Sequence, residues 1–184
     1  LKPTHIKEPT LKIAACLIVK DAEATIEQCL DSIRPHVDEI NVYDTGSTDG
    51  TLALLKRLAK QGKHATAADL AADSTPIPLA PIRVKRGEWR DDFSWAREQS
   101  FAMASPDVDF LLWLDDDDEV IGAPNLRAIA ASLAPDVDAA VFLYDYARDA
   151  TGQCLCQLWR ERLIRRSAGL EWCGAVHEVL VPPN

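Results

Sequence analysis

Short apolar runs alternate with stretches of helical spacing from Leu11 to Leu133. Strands are predicted over residues 11–19, 38–44, 82–85 and 110–114, and helices over residues 22–34, 52–60, 94–104 and 126–133. The strands at 11–19 and 110–114 are almost entirely apolar, which is typical of strands buried on both faces of a parallel sheet. This half of the chain is therefore predicted to have an α/β fold.

The pattern changes after residue 133. Strands are predicted over residues 138–146, 154–165 and 172–181, with a turn at Thr151–Gly152 and no helix between them. Successive strands without crossover helices indicate an antiparallel or mixed section. The fold class is thus α/β, with a central mixed and mostly parallel sheet.

Five adjacent carboxylates follow the apolar strand at 110–114, from Asp115 to Glu119. In open α/β sheets, ligands bind at the carboxyl ends of the strands, where this run would lie. Adjacent negative charges repel one another, and a divalent cation relieves the repulsion. Carboxylate oxygens suit Mg²⁺ or Mn²⁺, which often bridge protein carboxylates to substrate phosphates. The alternative is a solvated acidic loop that merely ends a strand.

A second carboxylate, Asp44, ends the strand at 38–44 and begins a small, hydroxyl-rich loop that leads into a helix. Asp44 could accept hydrogen bonds from a base or a ribose hydroxyl. Ser47, Thr48 and Asp49 are good N-cap residues for that helix whatever the function. The loop contains neither GxGxxG nor GxxxxGK[ST], so a dinucleotide fold or a Walker-type phosphate loop is not supported.

The chain has 184 residues, which is enough for one domain with a substantial core. Its net charge of −9 argues against binding to a nucleic-acid backbone. No apolar run approaches the roughly 20 residues that span a bilayer. The chain starts at Leu1 and stops soon after Pro183, so we expect residues 1–184 to be a single domain cut from, or at the N-terminus of, a longer protein.

Five cysteines are present and no CxxC pair occurs, which favours a reduced, cytosolic protein. We expect all of them to be buried structural thiols: Cys16, Cys29, Cys154, Cys156 and Cys173.

Five segments in this order resemble the inverting glycosyltransferases of family 2, nearest the branch of bacterial enzymes that build cell-surface polysaccharides. The segments are LKIAACLIVKDAE, VDEINVYDTGSTDGT, EWRDDFSWARE, FLLWLDDDDEV and RLIRRSAGLEWCGAVHEVL. The resemblance covers nearly the whole chain, apart from its ends and a predicted insertion at 61–81. It implies the GT-A fold, a three-layer sandwich, and a metal-dependent transfer from a nucleotide-diphosphate sugar, with UDP-sugar as the expected donor.

The resemblance also implies roles for residues on the donor side. Asp44 corresponds to the carboxylate that contacts the base or ribose. Asp115 and Asp117 match the ends of the family's DxD motif, with Asp115 nearer the ribose and Asp117 on Mn²⁺ or Mg²⁺. Asp116 is an additional charge in the nucleotide-sugar site, and Arg97 lies near the nucleotide. Spacing alone would make Arg97 a surface ion pair.

His177 and Glu178 match a His-Glu pair that ends the family's core. We expect His177 to contact the metal and diphosphate, and Glu178 to be the general base that deprotonates the acceptor. Neighbouring side chains of a regular strand point to opposite faces, so either one role fails or the strand ends or bulges there.

Two alternative functions remain. The chain could be a non-catalytic nucleotide-sugar binding module, or less favourably a nucleotidyltransferase, whose glycine-rich loop is missing after the first strand. The implied partners are the donor and a saccharide or lipid-linked acceptor, without nucleic acid. The expected location is cytoplasmic, at the inner face of the membrane if regions outside this chain provide peripheral attachment.

Overall fold

The computed structural model describes residues 11–61 and 78–183. The strands are β1 (Ile13–Val19), β2 (Glu39–Asp44), β3 (Ile82–Arg86), β4 (Phe110–Leu114), β5 (Ala139–Arg148), β6 (Cys154–Arg165), β7 (Glu171–Cys173) and β8 (Val179–Val181). The helices are α1 (Ile26–Ile33), α2 (Thr51–Lys60), α3 (Phe93–Phe101) and α4 (Leu126–Ser132). Most of the predicted insertion at 61–81 lies outside the described residues.

Six strands form one sheet in the order β3-β2-β1-β4-β6-β5. The first four are parallel, whereas β6 runs antiparallel to β4 and β5 antiparallel to β6. The α/β fold with a mixed, mostly parallel sheet is therefore confirmed. Strands β7 and β8 form a separate antiparallel pair.

The core explains why the sequences of β1 and β4 are continuous apolar runs. Every residue of both strands is buried, because helices cover one face of the sheet and α3 with Trp172 covers the other. Helix α1 buries Ile26 and Leu30 on the first face, and Trp113 of β4 packs on the second. Alternating polar positions would have placed charged groups in one of these two apolar layers.

The strand order creates a topological switch point at the carboxyl end of β1, the position at which open α/β sheets bind ligands. The chain leaves β1 for β2 on one side and later returns to β4 on the other side, which makes a topological switch point. Register pairs Val19 with Asp44 and Leu17 with Leu114. The loops that follow β1, β2 and β4 consequently meet at one edge of the sheet.

Three helix starts differ from the prediction, and that of α2 differs by only one residue. Helix α1 begins at Ile26 rather than residue 22, because the residues after β1 form a loop that binds the β2–α2 loop. Helix α3 is capped by Asp92, whose carboxylate accepts a hydrogen bond from the Trp95 N–H, and not by Ser94.

The predicted strand over residues 172–181 is wrong. The segment is split into β7 and β8 by a turn in which Gly174 has φ 101° and His177 has φ 57°. These positive φ values reverse the chain and allow β8 to pair back on β7. His177 and Glu178 therefore lie outside regular strand geometry. Two adjacent residues need such a departure if both side chains are to reach one site.

Burial of the cysteines is confirmed for only two of them. Cys16 and Cys29 are buried, Cys154 is half-buried, and Cys156 and Cys173 are exposed. All five thiols are free. Within residues 11–61 and 78–183, no helix is long and apolar enough to cross a membrane.

Candidate active site

The acidic run forms a tight turn directly after β4. The Asp118 N–H donates to the Asp115 carbonyl at 3.2 Å, and the Asp115 N–H donates to Asp118 Oδ2 at 2.8 Å. Asp116 is half-buried and accepts a hydrogen bond from Thr25 Oγ1 at 3.2 Å, whereas Asp117 is exposed. Of the four aspartates in the turn, Asp117 is thus the one that is exposed to solvent, and Glu119 after it is exposed as well.

Arg97 joins two of the predicted site residues. Its Nη2 lies 2.6 Å from Asp115 Oδ1, and its Nε lies 2.7 Å from Glu178 Oε1. The guanidinium lies 4.2 Å from the centre of the Trp113 ring, and only 4% of the residue is exposed. The surface ion pair suggested by spacing alone is wrong, because Arg97 is a buried link between the acidic turn and the β7–β8 turn.

The β7–β8 hairpin is attached to α3 by further hydrogen bonds. The Phe93 N–H donates to the Ala175 carbonyl at 2.9 Å, and the Ser94 hydroxyl donates to the Gly174 carbonyl. The Trp172 N–H donates to Glu98 Oε1 at 2.7 Å. Helix α3 therefore fixes the segment that carries Glu178.

Arg162 is a site residue that the sequence did not single out. It lies on β6, is 5% exposed, and its Nη1 is 3.0 Å from Asp118 Oδ2. Arg160 and Arg162 stand two positions apart on a long strand, and this spacing could have indicated a positively charged face. However, nothing local showed that β6 pairs with β4 and brings that face to the acidic turn.

The carboxylates of the acidic turn differ in the direction of their pKa shifts. Burial alone would raise the pKa of Asp115, but the charges of Arg97 and Arg162 outweigh it and hold that pKa below its usual value. Burial raises the pKa of Asp118, and neighbouring carboxylates raise it further against the effect of Arg162. Burial and neighbouring carboxylates likewise raise the pKa of Asp116. The turn therefore carries more negative charge than its arginines compensate.

Asp44 is fully buried at the carboxyl end of β2. Its Oδ1 accepts hydrogen bonds from the Ser47 N–H at 3.0 Å and from the Ser47 hydroxyl. Its Oδ2 has no hydrogen-bond partner among the described residues, and Arg86 Nε lies 3.7 Å away. A buried carboxylate oxygen without a donor is costly, and it marks a position where a ligand N–H or O–H would be favourable.

A cavity of about 660 Å³ opens at the residues that directly follow Asp44, a volume suited to a small-molecule ligand. Its lining comprises Thr45, Gly46, Arg86, Gly87, Glu88 and Trp89. Gly87 has no space for a side chain, because a Cβ there would collide with the Tyr43 hydroxyl. The loop after β3 can therefore approach β2 closely only with glycine at this position.

Capping of α2 by the Ser47–Asp49 segment is only partly as expected. The N-cap is Gly50, although Asp49 Oδ1 does accept a hydrogen bond from the Thr51 N–H at 2.9 Å. Asp21, which the sequence interpretation missed, accepts from the Thr48 N–H at 2.6 Å and has a φ of 52°. Nothing in the sequence indicated that this aspartate, which follows β1, would adopt a positive φ.

His177 is exposed in the β7–β8 turn. Within residues 11–61 and 78–183, no three His, Cys, Asp or Glu side chains are arranged as a ready metal-ligand set. The metal roles of Asp117 and His177 therefore stay predictions, as do the donor-binding roles of Asp44, Arg97, Asp115 and Asp116 and the catalytic role of Glu178.

Residues 15–177 match the sequence profile of glycosyl transferase family 2. The chain belongs to this family. The predicted family, the enzyme class and the GT-A fold are thereby confirmed, and the geometry above belongs to a family 2 glycosyltransferase domain.

Two curated relatives are much longer than this chain. A TPR repeat-containing protein of Synechococcus elongatus is 33% identical over 110 residues, which are 60% of this chain and 21% of the relative. The SPbeta prophage-derived glycosyltransferase SunS of Bacillus subtilis is 24% identical over 174 residues, which are 94% of this chain and 35% of SunS. The chain thus spans between a fifth and about a third of these relatives.

Among solved structures, 4-diphosphocytidyl-2C-methyl-D-erythritol synthase from Anaerococcus prevotii aligns with a TM-score of 0.51 and 13% identity. The alignment covers 86% of this chain and 71% of the synthase. At this identity the likeness shows a shared fold alone, so it does not favour a nucleotidyltransferase.

Proposed function

We propose that this domain transfers a sugar, with inversion, from a UDP-sugar to a hydroxyl acceptor, using a divalent cation. The observation that carries the proposal is the buried Oδ2 of Asp44, which has no hydrogen-bond donor among the described residues and lies at the sheet edge that also bears the acidic turn. The cavity lined by Thr45, Gly46 and Arg86 opens at the same edge. One end of this edge offers an acceptor for a base or ribose, and the other offers carboxylates for a metal-bound diphosphate.

Asp44 could accept a hydrogen bond from a nucleobase or a ribose. A carboxylate accepts hydrogen bonds, so the N3–H of uracil or a ribose hydroxyl would suit its Oδ2. Arg86, whose side chain is 61% exposed, could donate to a carbonyl oxygen of the same base. The amino group of cytosine could also donate to Asp44, so the test below compares UDP-sugars with CDP-sugars directly.

The residues present fit a Mg²⁺ or Mn²⁺ ion that shares its ligands with the substrate. Asp117 is exposed, whereas both oxygens of Asp115 face arginines at 2.6 and 3.6 Å. Mg²⁺ is commonly held by one or two carboxylates together with substrate phosphates and water, so a single protein carboxylate is sufficient. Asp117 would hold the ion, with His177 as the second candidate. When bound, the ion would neutralise the leaving diphosphate as a Lewis acid.

In this proposal Glu178 is the general base. Its Oε1 is occupied by Arg97, and its side chain is 12% exposed. Arg97 fixes the orientation of the carboxylate, so Oε2 is the oxygen that would accept the proton of an acceptor hydroxyl. The hydroxyl, in a saccharide or a lipid-linked acceptor, would have to come within about 3 Å, directly or through one water.

The test is a panel of UDP-, GDP-, CDP- and dTDP-sugars given to the full-length protein with and without Mn²⁺, measuring thermal stability and nucleotide release. Selective stabilisation by UDP-sugars with nucleotide release supports the proposal. Binding without release supports a binding module. Release of pyrophosphate from a nucleoside triphosphate and a sugar 1-phosphate, assayed in parallel, supports a nucleotidyltransferase.

Two variants test the catalytic assignments. Glu178→Gln should lower turnover by about 10²-fold or more with donor binding intact, as expected for loss of a general base. His177→Ala should instead weaken metal-dependent donor binding. Normal turnover of Glu178→Gln would place the base elsewhere.

A further inference from the structure

Two aromatic rings contact the guanidinium of Arg162. Its guanidinium carbon lies 3.8 Å from the centre of the Trp113 ring and 4.7 Å from that of Tyr144. Its side chain is only 6% exposed. These contacts and the burial restrict the orientation of the guanidinium, and with it the directions of its N–H groups.

Those N–H groups are directed at the acidic turn and at the strand before it. Nη1 lies 3.0 Å from Asp118 Oδ2 and donates to the Trp113 carbonyl at 3.3 Å, and Nη2 lies 3.6 Å from Asp115 Oδ2. The Asp118 carboxylate oxygen bound to Arg162 also accepts the Asp115 N–H. One arginine therefore fixes both ends of the turn against the sheet.

We propose that Arg162 is the positioning residue for the metal-binding carboxylate of Asp117. It acts through Asp115 and Asp118, which hold the two ends of the turn while Asp117 between them faces solvent. This inference rests on the proposed binding of a metal ion by Asp117. Arg162 touches neither metal nor substrate in this role.

A purely electrostatic role would have the opposite effect on metal affinity. Replacing Arg162 by methionine makes the turn more negative by one charge, and Coulomb attraction alone then predicts tighter binding of Mn²⁺. A positioning role predicts weaker binding, because the turn loses the group that fixes its two ends. The sign of the change separates the two explanations.

The experiment titrates Mn²⁺ into the full-length protein calorimetrically at saturating UDP, at a temperature where circular dichroism shows each variant fully folded. Arg162→Met should weaken Mn²⁺ binding by about 10- to 100-fold, the usual effect of losing a group that orients a metal ligand. Arg162→Lys keeps the charge but not the planar fork, and should weaken binding by a smaller factor.

Arg165→Met is the matched control. Arg165 is a half-buried arginine on the same strand that stacks 4.9 Å from the Phe110 ring centre and donates to the Val137 carbonyl at 3.0 Å. Its loss removes the same charge and similar packing, so Mn²⁺ affinity should be unchanged although stability falls.

The outcomes separate this inference from the proposed function. Unchanged or tighter Mn²⁺ binding in Arg162→Met overturns the positioning role while the function stands. If Arg162→Met does not fold, unchanged binding in Arg162→Lys has the same consequence. If the wild-type protein shows no Mn²⁺-dependent binding of UDP, both the metal function and the positioning role fail.

Discussion

Replacing Arg97 by methionine should strongly destabilise the protein. Arg97 is 4% exposed and pairs with Asp115 at 2.6 Å and with Glu178 at 2.7 Å. Methionine can keep much of the packing against Trp113, but it leaves Glu178, only 12% exposed, without a counter-charge. Asp115 retains Arg162 at 3.6 Å, so most of the loss falls on Glu178.

Removing one partner of a buried ion pair costs about 3–5 kcal/mol. For a domain of this size, 1 kcal/mol shifts the melting temperature by about 2–4 °C, so we expect a decrease of roughly 6–20 °C. The measurement is urea and thermal unfolding at pH 7 followed by circular dichroism. The double variant Arg97→Met/Glu178→Gln should regain about 1–3 kcal/mol, because the uncompensated charge is then absent.

The control is Arg57→Met, which removes a surface ion pair with Glu27 at 3.1 Å. Exposed pairs contribute about 0–1 kcal/mol, so this variant should unfold almost like the wild type. If Arg97→Met costs no more than Arg57→Met, the burial argument is refuted.

The cost of Arg97→Met should also depend on pH. The pKa of Asp115 is held below its usual value in the fold, so its ionised form contributes stability above that usual value. The contribution is lost as pH falls through the lowered pKa. The gap between wild type and Arg97→Met should therefore narrow in acid, and a gap that widens would contradict the sign of this linkage.

Three further predictions concern single carboxylates. Asp117→Ala should remove most of the Mn²⁺-dependent stabilisation by UDP, while the metal-free melting temperature barely changes because Asp117 is exposed; unchanged Mn²⁺-dependent affinity by calorimetry would reject the assignment. Asp44→Ala should weaken UDP binding even without metal, and an effect seen only with metal would make Asp44 a metal ligand instead. Asp116→Asn should stabilise the metal-free protein at neutral pH, because the raised pKa of Asp116 means that its ionised form costs stability as pH rises through that pKa. Urea unfolding should show this gain disappearing in acid, and a gain that persists there would argue against it.

The sequence was most informative where local pattern and burial agree. The apolar runs of β1 and β4 predicted the buried centre of the sheet, and the carboxylates at the ends of β2 and β4 lie at the edge where we propose that the donor binds. Strand ends and helix starts follow from local chemistry, so most of these bounds were predicted within a few residues. The Asp92 cap was missed although aspartate is among the best N-cap residues, because Ser94 is equally suitable by type.

The contacts that complete the site could not be predicted because they join residues far apart in the chain. Arg97 meets Glu178 across 81 positions, and Arg162 meets the Trp113 carbonyl across 49. The Arg162 contact depends on β6 returning antiparallel beside β4, and the Arg97 contact depends on the turn between β7 and β8. That turn requires positive φ values at Gly174 and His177, and a positive φ is uncommon in residues other than glycine.

The attachment of the β7–β8 hairpin to α3 links the proposed general base to the proposed donor site. Arg97 and Glu98 lie on one helix, and they hold Glu178 and the β7 backbone. A shift of α3 would therefore move the proposed base and the arginine beside Asp115 as a single unit. Substitutions of Ala96 or Phe101, which are buried on this helix, should therefore alter turnover and donor affinity together.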